Sequence, residues 1–130
     1  MEVAKTDRPA SKQTALRRWL SENFIKNNPA IYKKIYSILE KNNRKDFIKC
    51  YELFVNYEDD DDMLKKIKVN TLITTGKNDV GSTPEMSRNL SKMIRRSKFV
   101  EIKGGKHLCG IECANDVNIV FKEFIDKNNG

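Results

Sequence analysis

Two apolar segments with the composition of β-strands, residues 70–75 and 98–102, are separated by an amphipathic segment, residues 84–94. A further amphipathic segment, residues 115–127, follows the second of them. This β-α-β-α order predicts two parallel strands joined by a right-handed crossover, because parallel strands need a long connection that returns over the sheet. The second half of the chain is therefore predicted to belong to the α/β class.

Two strands are fewer than a parallel sheet normally contains. Parallel sheets usually have several strands and helices on both faces, and a two-stranded sheet leaves backbone groups unpaired along both edges. We therefore expect the sheet to be extended by another copy of the chain or by a different polypeptide, unless the preceding helices cover it. Pairing between copies through the edge of strand 70–75 predicts a homo-oligomer.

The first half of the chain is predicted to be helical. Apolar side chains recur at spacings of three and four over residues 15–24, after a possible cap at Ser11. The Asn28-Pro29 pair predicts the start of a second helix, and Asn43 can cap a third. Three amphipathic helices are therefore expected between residues 12 and 56.

Two clusters of metal-ligating residue types occur in the sequence. The contiguous aspartates 59–62 favour the N-terminus of a short helix that extends to Ile67. Calcium binding is a sharper interpretation, but calcium loops space their oxygen ligands around a glycine, and these aspartates are contiguous. A structural zinc site at His107, Cys109 and Cys113 would need four ligands in paired spacing. We predict neither a metal nor a cofactor.

The positive charge is concentrated in the first half of the chain. Residues 1–57 hold 12 Lys and Arg against 6 Asp and Glu, whereas the remainder holds 13 against 12. No glycine-rich or zinc-type nucleic-acid motif accompanies this charge, so a solvated lysine-rich helix face is the favoured interpretation over nucleic-acid binding. The sequence has no run of about 18 apolar residues and no visible signal segment, which predicts a cytoplasmic protein that does not bind membranes. Its 3 cysteines fit reduced thiols.

Two residues able to transfer or orient a proton follow the predicted strands. Asp79 lies in the turn after the first strand and His107 in the loop after the second, where functional side chains of α/β sheets are found. A carboxylate that accepts from one imidazole nitrogen fixes the tautomer and leaves the other nitrogen to move a proton. Gly104 and Gly105 would let the loop bend toward Asp79. The residues alone equally permit a simpler interpretation, in which Asp79 caps a turn and His107 has no chemical role.

The segments TLITTGKNDVGSTPEMS (residues 71–87) and SKFVEIKGGKHLCGIECANDVNIVFKEFI (residues 97–125) resemble the C-terminal third of α/β-hydrolase-fold enzymes of the 3-oxoadipate enol-lactonase type. In that family the pattern P-T-L-x-x-x-G-x-x-D holds the acid of a Ser-His-Asp triad, and G-x-x-H holds its histidine. The resemblance implies that Asp79 is the acid and His107 the general base. It extends upstream to about residue 14, over a segment that looks like the helical cap of these enzymes.

The family's nucleophile motif, G-x-S-x-G, matches none of the serines of this sequence. The resemblance therefore implies the C-terminal half of a carboxylic-ester or small-lactone hydrolase, without the nucleophile half and inactive alone. Cys109 or Cys113 as the nucleophile is less favoured, because a residue two positions from a histidine usually points away from its ring. The alternative to an enzyme half is a non-catalytic module, derived from a hydrolase, that self-associates or binds a partner.

The expected fold class is a partial α/β-hydrolase fold, in which three cap-like helices precede β-α-β-α with two parallel strands. The expected organisation is a flexible N-terminus over 1–12, a helical cap-like region over 13–68, and the C-terminal portion of a hydrolase core over 69–130. Three aromatic side chains either line the cap side of a pocket or, as is commoner for amphipathic helices, pack in a core: Trp19, Phe24 and Tyr51.

Overall fold

The described part of the chain contains a series of helices followed by a small sheet packed against helices. The computed structural model describes residues 9–58 and 60–128. These residues form two compact units: residues 9–17 with 22–58, and residues 18–21 with 60–128. Residues 9–58 contain the helices α1 (Pro9–Trp19), α2 (Glu22–Asn27), α3 (Pro29–Lys41) and α4 (Arg44–Val55).

The N-terminal prediction lies mostly outside the described residues. A flexible segment was expected over residues 1–12, of which 1–8 are not described. Within the described part, α1 begins at Pro9, ahead of the predicted cap at Ser11. Proline is favourable in the first turn of a helix, because its missing N–H has no intrahelical partner there.

The predicted starts of the second and third helices are confirmed. Pro29 occupies the first turn of α3, where its fixed backbone angle suits a helix. Asn43 caps α4, and its side-chain oxygen accepts from the backbone N–H groups of Lys45 and Asp46 at 3.0 and 3.2 Å. Both starts follow from local chemistry that the sequence displays.

The first predicted helix is interrupted after Trp19, so the expectation of one helix through Phe24 is wrong. The C=O of Trp19 accepts a hydrogen bond from Leu108 N–H at 3.0 Å. Ser21 N–H donates to a carboxylate oxygen of Glu112, also at 3.0 Å. These tertiary bonds replace the bonds of a continuous helix. Residues 9–58 consequently form four helices where three were expected.

The second unit has the predicted β-α-β-α order. The limits of the two strands and the two long helices differ from the predicted ones by no more than one residue, and only the short helix α7 was not predicted. The elements are α5 (Asp61–Lys65), β1 (Thr71–Gly76), α6 (Pro84–Met93), β2 (Ser97–Ile102), α7 (Cys109–Glu112) and α8 (Ala114–Asn128). No helix within the described residues is long and apolar enough to span a bilayer.

The acidic run begins α5, which ends at Lys65 and not at the predicted Ile67. Asp60 caps the helix, and its side chain accepts from the N–H groups of Asp62 and Met63 at 2.9 and 3.2 Å. Asp62 in turn lies 3.1 Å from the ammonium of Lys65. The described aspartates of this run therefore stabilise a helix start through a cap and the helix dipole. Asp59 lies outside the described residues.

The two strands pair in parallel, as predicted, and end together. Their register runs from Thr71 opposite Ser97 to Gly76 opposite Ile102. Helix α6 packs against both strands, and α8 packs against β2. Apolar side chains from the strands and from the segments packed against them form the buried core of this unit: Leu20, Ile73, Ile94, Ile102 and Val117.

The carboxyl end of β1 lies directly against the loop that follows β2. A side chain at Gly76 would place its Cβ 2.3 Å from the C=O oxygen of Lys106 and 2.4 Å from that of Gly105. Since both neighbours are backbone atoms, neither can rotate away, and the loop can approach the strand only because residue 76 has no side chain. This close approach determines the position of the residues that follow.

We expect Gly76→Ala to lower the free energy of unfolding by roughly 1–3 kcal/mol or more, because the added methyl forces the loop off the strand. Gly110→Ala is the matched control, since its Cβ meets no atom within 4 Å. That control should leave stability unchanged or raise it by up to about 1 kcal/mol through helix propensity. Urea unfolding followed by tryptophan fluorescence measures both, and equal stabilities for the two variants would contradict the assigned packing.

Candidate active site

The turn after β1 and the loop after β2 are fastened to each other by backbone hydrogen bonds. Lys77 N–H donates to the C=O of Ile102, and Asn78 N–H donates to the C=O of Gly105, both at 2.9 Å. The hydroxyl of buried Thr75 donates to the C=O of Ser82 at 2.9 Å, which holds the far side of the turn against the strand. The two segments that contain the predicted site residues are therefore adjacent, and these hydrogen bonds hold them in place.

The structure brings Asp79 and His107 into direct contact. Asp79 Oδ2 lies 2.8 Å from His107 Nδ1, although the two residues are 28 positions apart. The other oxygen, Oδ1, accepts from the backbone N–H groups of Gly81 at 2.8 Å and Ser82 at 3.0 Å. The Asp79 side chain is 5% exposed, whereas that of His107 is 42% exposed. A buried carboxylate thus supports an imidazole that solvent or a reactant can reach.

Three donors keep the Asp79 carboxyl group ionised. Burial opposes ionisation, but the hydrogen bonds from Gly81 N–H, His107 and Ser82 N–H outweigh it and hold the pKa of Asp79 below its ordinary value of 3.8. An ionised carboxylate can only accept, so the bonded Nδ1 must bear a proton. The second ring nitrogen, Nε2, then has a free lone pair in the neutral ring and is able to accept a proton.

A small cavity lies beside the imidazole. It has a volume of about 60 Å³ and is lined by side chains from the segment around Trp19 and from the two loops: Arg18, Trp19, Asp79, Val80, Gly81 and His107. The rings of Trp19 and His107 are 6.0 Å apart between centroids and inclined by 33°. Of the two roles that the sequence left open for Trp19, lining a pocket or packing in a core, the structure shows it lining this cavity. Arg18 and Val80 were not predicted, although each adjoins a predicted residue.

The other two aromatic candidates, Phe24 and Tyr51, belong to the first unit. Tyr51 stacks on Phe47 at 5.9 Å and contacts Phe54 at 6.4 Å between ring centroids. These contacts are those of an aromatic row along one helix, at spacings of four and three residues. The ring contacts of Tyr51 are therefore packing contacts with aromatic side chains of its own helix.

No described serine or cysteine forms a hydrogen bond with His107. The hydroxyls of Ser91 and Ser97 bond to each other at 2.8 Å, and Ser97 begins β2, at the opposite end of the strand. Burial raises the pKa of the Cys109 thiol, as it does that of Cys113. Such thiols remain protonated near neutral pH and are weak nucleophiles. Over the described ranges, moreover, no group of three or more His, Cys, Asp or Glu side chains is arranged to hold a metal ion.

Comparison of the sequence with protein-family models and with curated proteins gives no match. The structure, by contrast, is similar to solved structures of three enzymes. With the enol-lactonase from Burkholderia xenovorans the TM-score is 0.85 at 22% identity, over 95% of this chain and 47% of that one. With a thermophilic esterase from Thermogutta terrifontis, solved with malate bound, the TM-score is 0.84 at 22% identity, over 99% and 49%.

A bromoperoxidase from Bacillus anthracis is similar to the same degree, with a TM-score of 0.81 at 21% identity over 96% of this chain and 46% of that one. The chain therefore has a partial α/β-hydrolase fold, as its sequence predicted, and it spans about half the length of these solved structures. At this level of identity the likeness establishes the fold alone.

The pH dependence of stability tests the assigned contacts of Asp79. Because the folded-state pKa lies below the unfolded value, the ionised carboxylate stabilises the fold fully above about pH 4, and this contribution disappears as the pH falls through the folded pKa. We expect the free energy of unfolding of the unaltered chain to decline with acid in this window. Asp79→Asn should show a shallower decline.

His107→Ala provides the comparison for that experiment. It removes one of the three donors to Asp79 and leaves the two backbone donors, so the acid-dependent decline should be intermediate. The measurement is urea unfolding at a series of pH values between about 2.5 and 6. Equal slopes for the unaltered chain and Asp79→Asn would contradict the assignment.

Proposed function

We propose that this chain provides the acid and the general base of a Ser-His-Asp hydrolase that acts on carboxylic esters or lactones. The observation that supports the proposal most directly is the 2.8 Å hydrogen bond from His107 Nδ1 to the buried Asp79, beside a 42% exposed imidazole. This arrangement orients the ring, fixes its tautomer and leaves Nε2 available. Hydrolysis is favoured because the fold is shared with an enol-lactonase and an esterase.

The proposed mechanism uses Nε2 of His107 twice. In the first step Nε2 removes the proton of a serine hydroxyl as its oxygen attacks the carbonyl carbon, and it returns that proton to the departing alkoxide. In the second step Nε2 removes a proton from the water that attacks the acyl-serine ester, and it returns that proton to the departing serine oxygen as the carboxylic acid is released. Asp79 stays ionised throughout and stabilises the imidazolium that forms in each step. General base catalysis of this kind contributes about 10²–10⁴-fold to a rate.

The serine of this mechanism is proposed to lie outside the 130 residues. None of the serines of the sequence occurs in a G-x-S-x-G turn. The cavity of about 60 Å³ is also small beside typical ligand pockets of roughly 300–1,000 Å³, so further walls are needed around a substrate. We infer that a longer polypeptide or a second subunit provides the nucleophile, the oxyanion donors and those walls, and that the present chain is inactive alone.

The second candidate function is a non-catalytic module that self-associates through a strand edge, as a remnant of a hydrolase. The two-stranded parallel sheet favours it, because each strand has one neighbour in the described residues and one free edge. Strand β1 contains no charged residue, whereas β2 contains Lys98 and Glu101. Charges on a strand discourage edge pairing, so the edge of β1 is the favoured contact between copies. Neither proposal involves a membrane, nucleic acid, metal or cofactor, and a cytoplasmic location remains a prediction.

The purified 130-residue chain should not hydrolyse an unactivated lactone or methyl ester at a rate that depends on His107. Unactivated substrates are essential, because an exposed imidazole can cleave activated aryl esters without any serine. The natural polypeptide or complex that contains this chain should hydrolyse such substrates, and His107→Ala should lower its kcat by about 10²–10⁴-fold. Lys103→Ala, an exposed change in the same loop outside the proton-transfer pair, is the control.

Hydrolysis by the isolated chain that disappears in His107→Ala would contradict the assignment of the nucleophile to another segment. Absence of His107-dependent hydrolysis from the complete assembly, tested over lactones and esters of several chain lengths, would contradict the hydrolase proposal itself.

Self-association through β1 is tested by sedimentation of the purified chain. We expect a species larger than the 15.1 kDa monomer, and we expect Thr74→Lys to shift it toward monomer by placing a charge on the pairing strand. Lys98→Thr, on β2, should have no such effect. A folded monomer at high micromolar concentration would contradict self-association.

A further inference from the structure

Both carboxylate oxygens of Glu112 accept hydrogen bonds from backbone groups that adjoin the site. Oε1 accepts from Ser21 N–H at 3.0 Å, and Oε2 accepts from Lys106 N–H at 3.2 Å. The first partner is 91 residues away in the sequence and the second is 6 residues away. Neither contact is needed to cap the short helix α7, whose last residue is Glu112. The side chain therefore joins two separate segments.

Each of these segments holds one ring of the site. Lys106 immediately precedes His107, and its C=O accepts from Cys109 N–H at 3.1 Å, so both backbone polar groups of Lys106 are hydrogen-bonded. Ser21 follows Trp19 by two positions, and Trp19 C=O accepts from Leu108 N–H at 3.0 Å. The imidazole and the indole that meet at 6.0 Å are thus each one or two residues from a group bonded to Glu112.

We propose that Glu112 is a positioning residue, which holds the His107 loop and the Trp19 segment in the geometry that the Asp79–His107 pair requires. Its importance for catalysis rests on the proposed function, but its effect on the geometry of the site does not. A glutamate suits this role because it presents two acceptors at once to two N–H donors. Glutamine has only one acceptor oxygen, and its amide N–H would face the second N–H donor without bonding to it. Aspartate has two acceptors, but its side chain is one methylene shorter.

Nuclear magnetic resonance of the full 130-residue chain tests the proposal, because the sequence has 1 histidine and 1 tryptophan. The Nδ1 proton of His107 exchanges slowly with water only while it is bonded to Asp79. The pKa of Asp79, read from its carboxyl carbon, is lowered in part by the same bond. Both signals therefore report whether the loop stays in place, and neither depends on hydrolysis.

We expect the Nδ1 proton to exchange roughly tenfold faster in Glu112→Gln, which loses one of the two bonds, and faster still in Glu112→Ala, which loses both. The titration of Asp79 should move to higher pH in the same order. Glu123→Gln removes an equal charge from an exposed position on α8 and should leave both signals unchanged. In the complete assembly Glu112→Gln should lower kcat with little change in KM.

A folded Glu112→Ala chain with the original exchange rate and the original Asp79 titration would overturn the proposal. Global unfolding of both Glu112 variants would also overturn it, because Glu112 would then support the whole unit and not the site. If the spectroscopic changes occur but no assembly hydrolyses esters or lactones, Glu112 positions the pair and the proposed function fails. If the complete assembly shows His107-dependent hydrolysis but the Glu112 variants show no spectroscopic change, only the role proposed for Glu112 is wrong.

Discussion

Gly76 and Ile102 lie opposite each other at the last position of the parallel pairing, so β1 and β2 end at the same edge of the sheet. The loop after β2 can then lie on the end of β1, because residue 76 has no side chain in its way. Asn78 N–H bonds to the C=O of Gly105 across this contact. The contact between Asp79 and His107 therefore depends on the close approach of two backbone segments. No long or flexible side chain takes part in that approach.

The electrostatics of the site follow from how the Asp79 carboxylate is satisfied. Two of its donors are the N–H groups of its own turn, from Gly81 and Ser82, and the third is His107. A buried carboxylate without such donors would hold a proton and could not orient an imidazole. The two donors of the turn favour the ionised carboxylate independently of the histidine. The histidine adopts its tautomer as a consequence.

The sequence predicted the parts of this site that depend on short-range patterns. Apolar runs ending at Gly76 and Ile102 located the strand ends, and the loops after them contained Asp79 and His107. What it did not predict are contacts between distant segments. The interruption of α1 after Trp19 depends on Leu108 and Glu112, about ninety residues later, and helix periodicity continues through it without a signal. The resemblance to a family indicated roles for two residues, and it gave none for the side chains that surround them.

The bond between Ser21 and Glu112 also has a consequence for the order in which the chain folds. The turn that satisfies Asp79 spans four residues and the turn that precedes Cys109 is equally short, so both can form within local segments. Closing a loop of 91 residues costs more conformational entropy than forming either of these turns, so we expect it to follow the pairing of the strands. Leu20, which is 0% exposed, enters the core in the same step. We therefore expect the acid and the base, which are 28 residues apart, to come together before the tryptophan wall beside them closes.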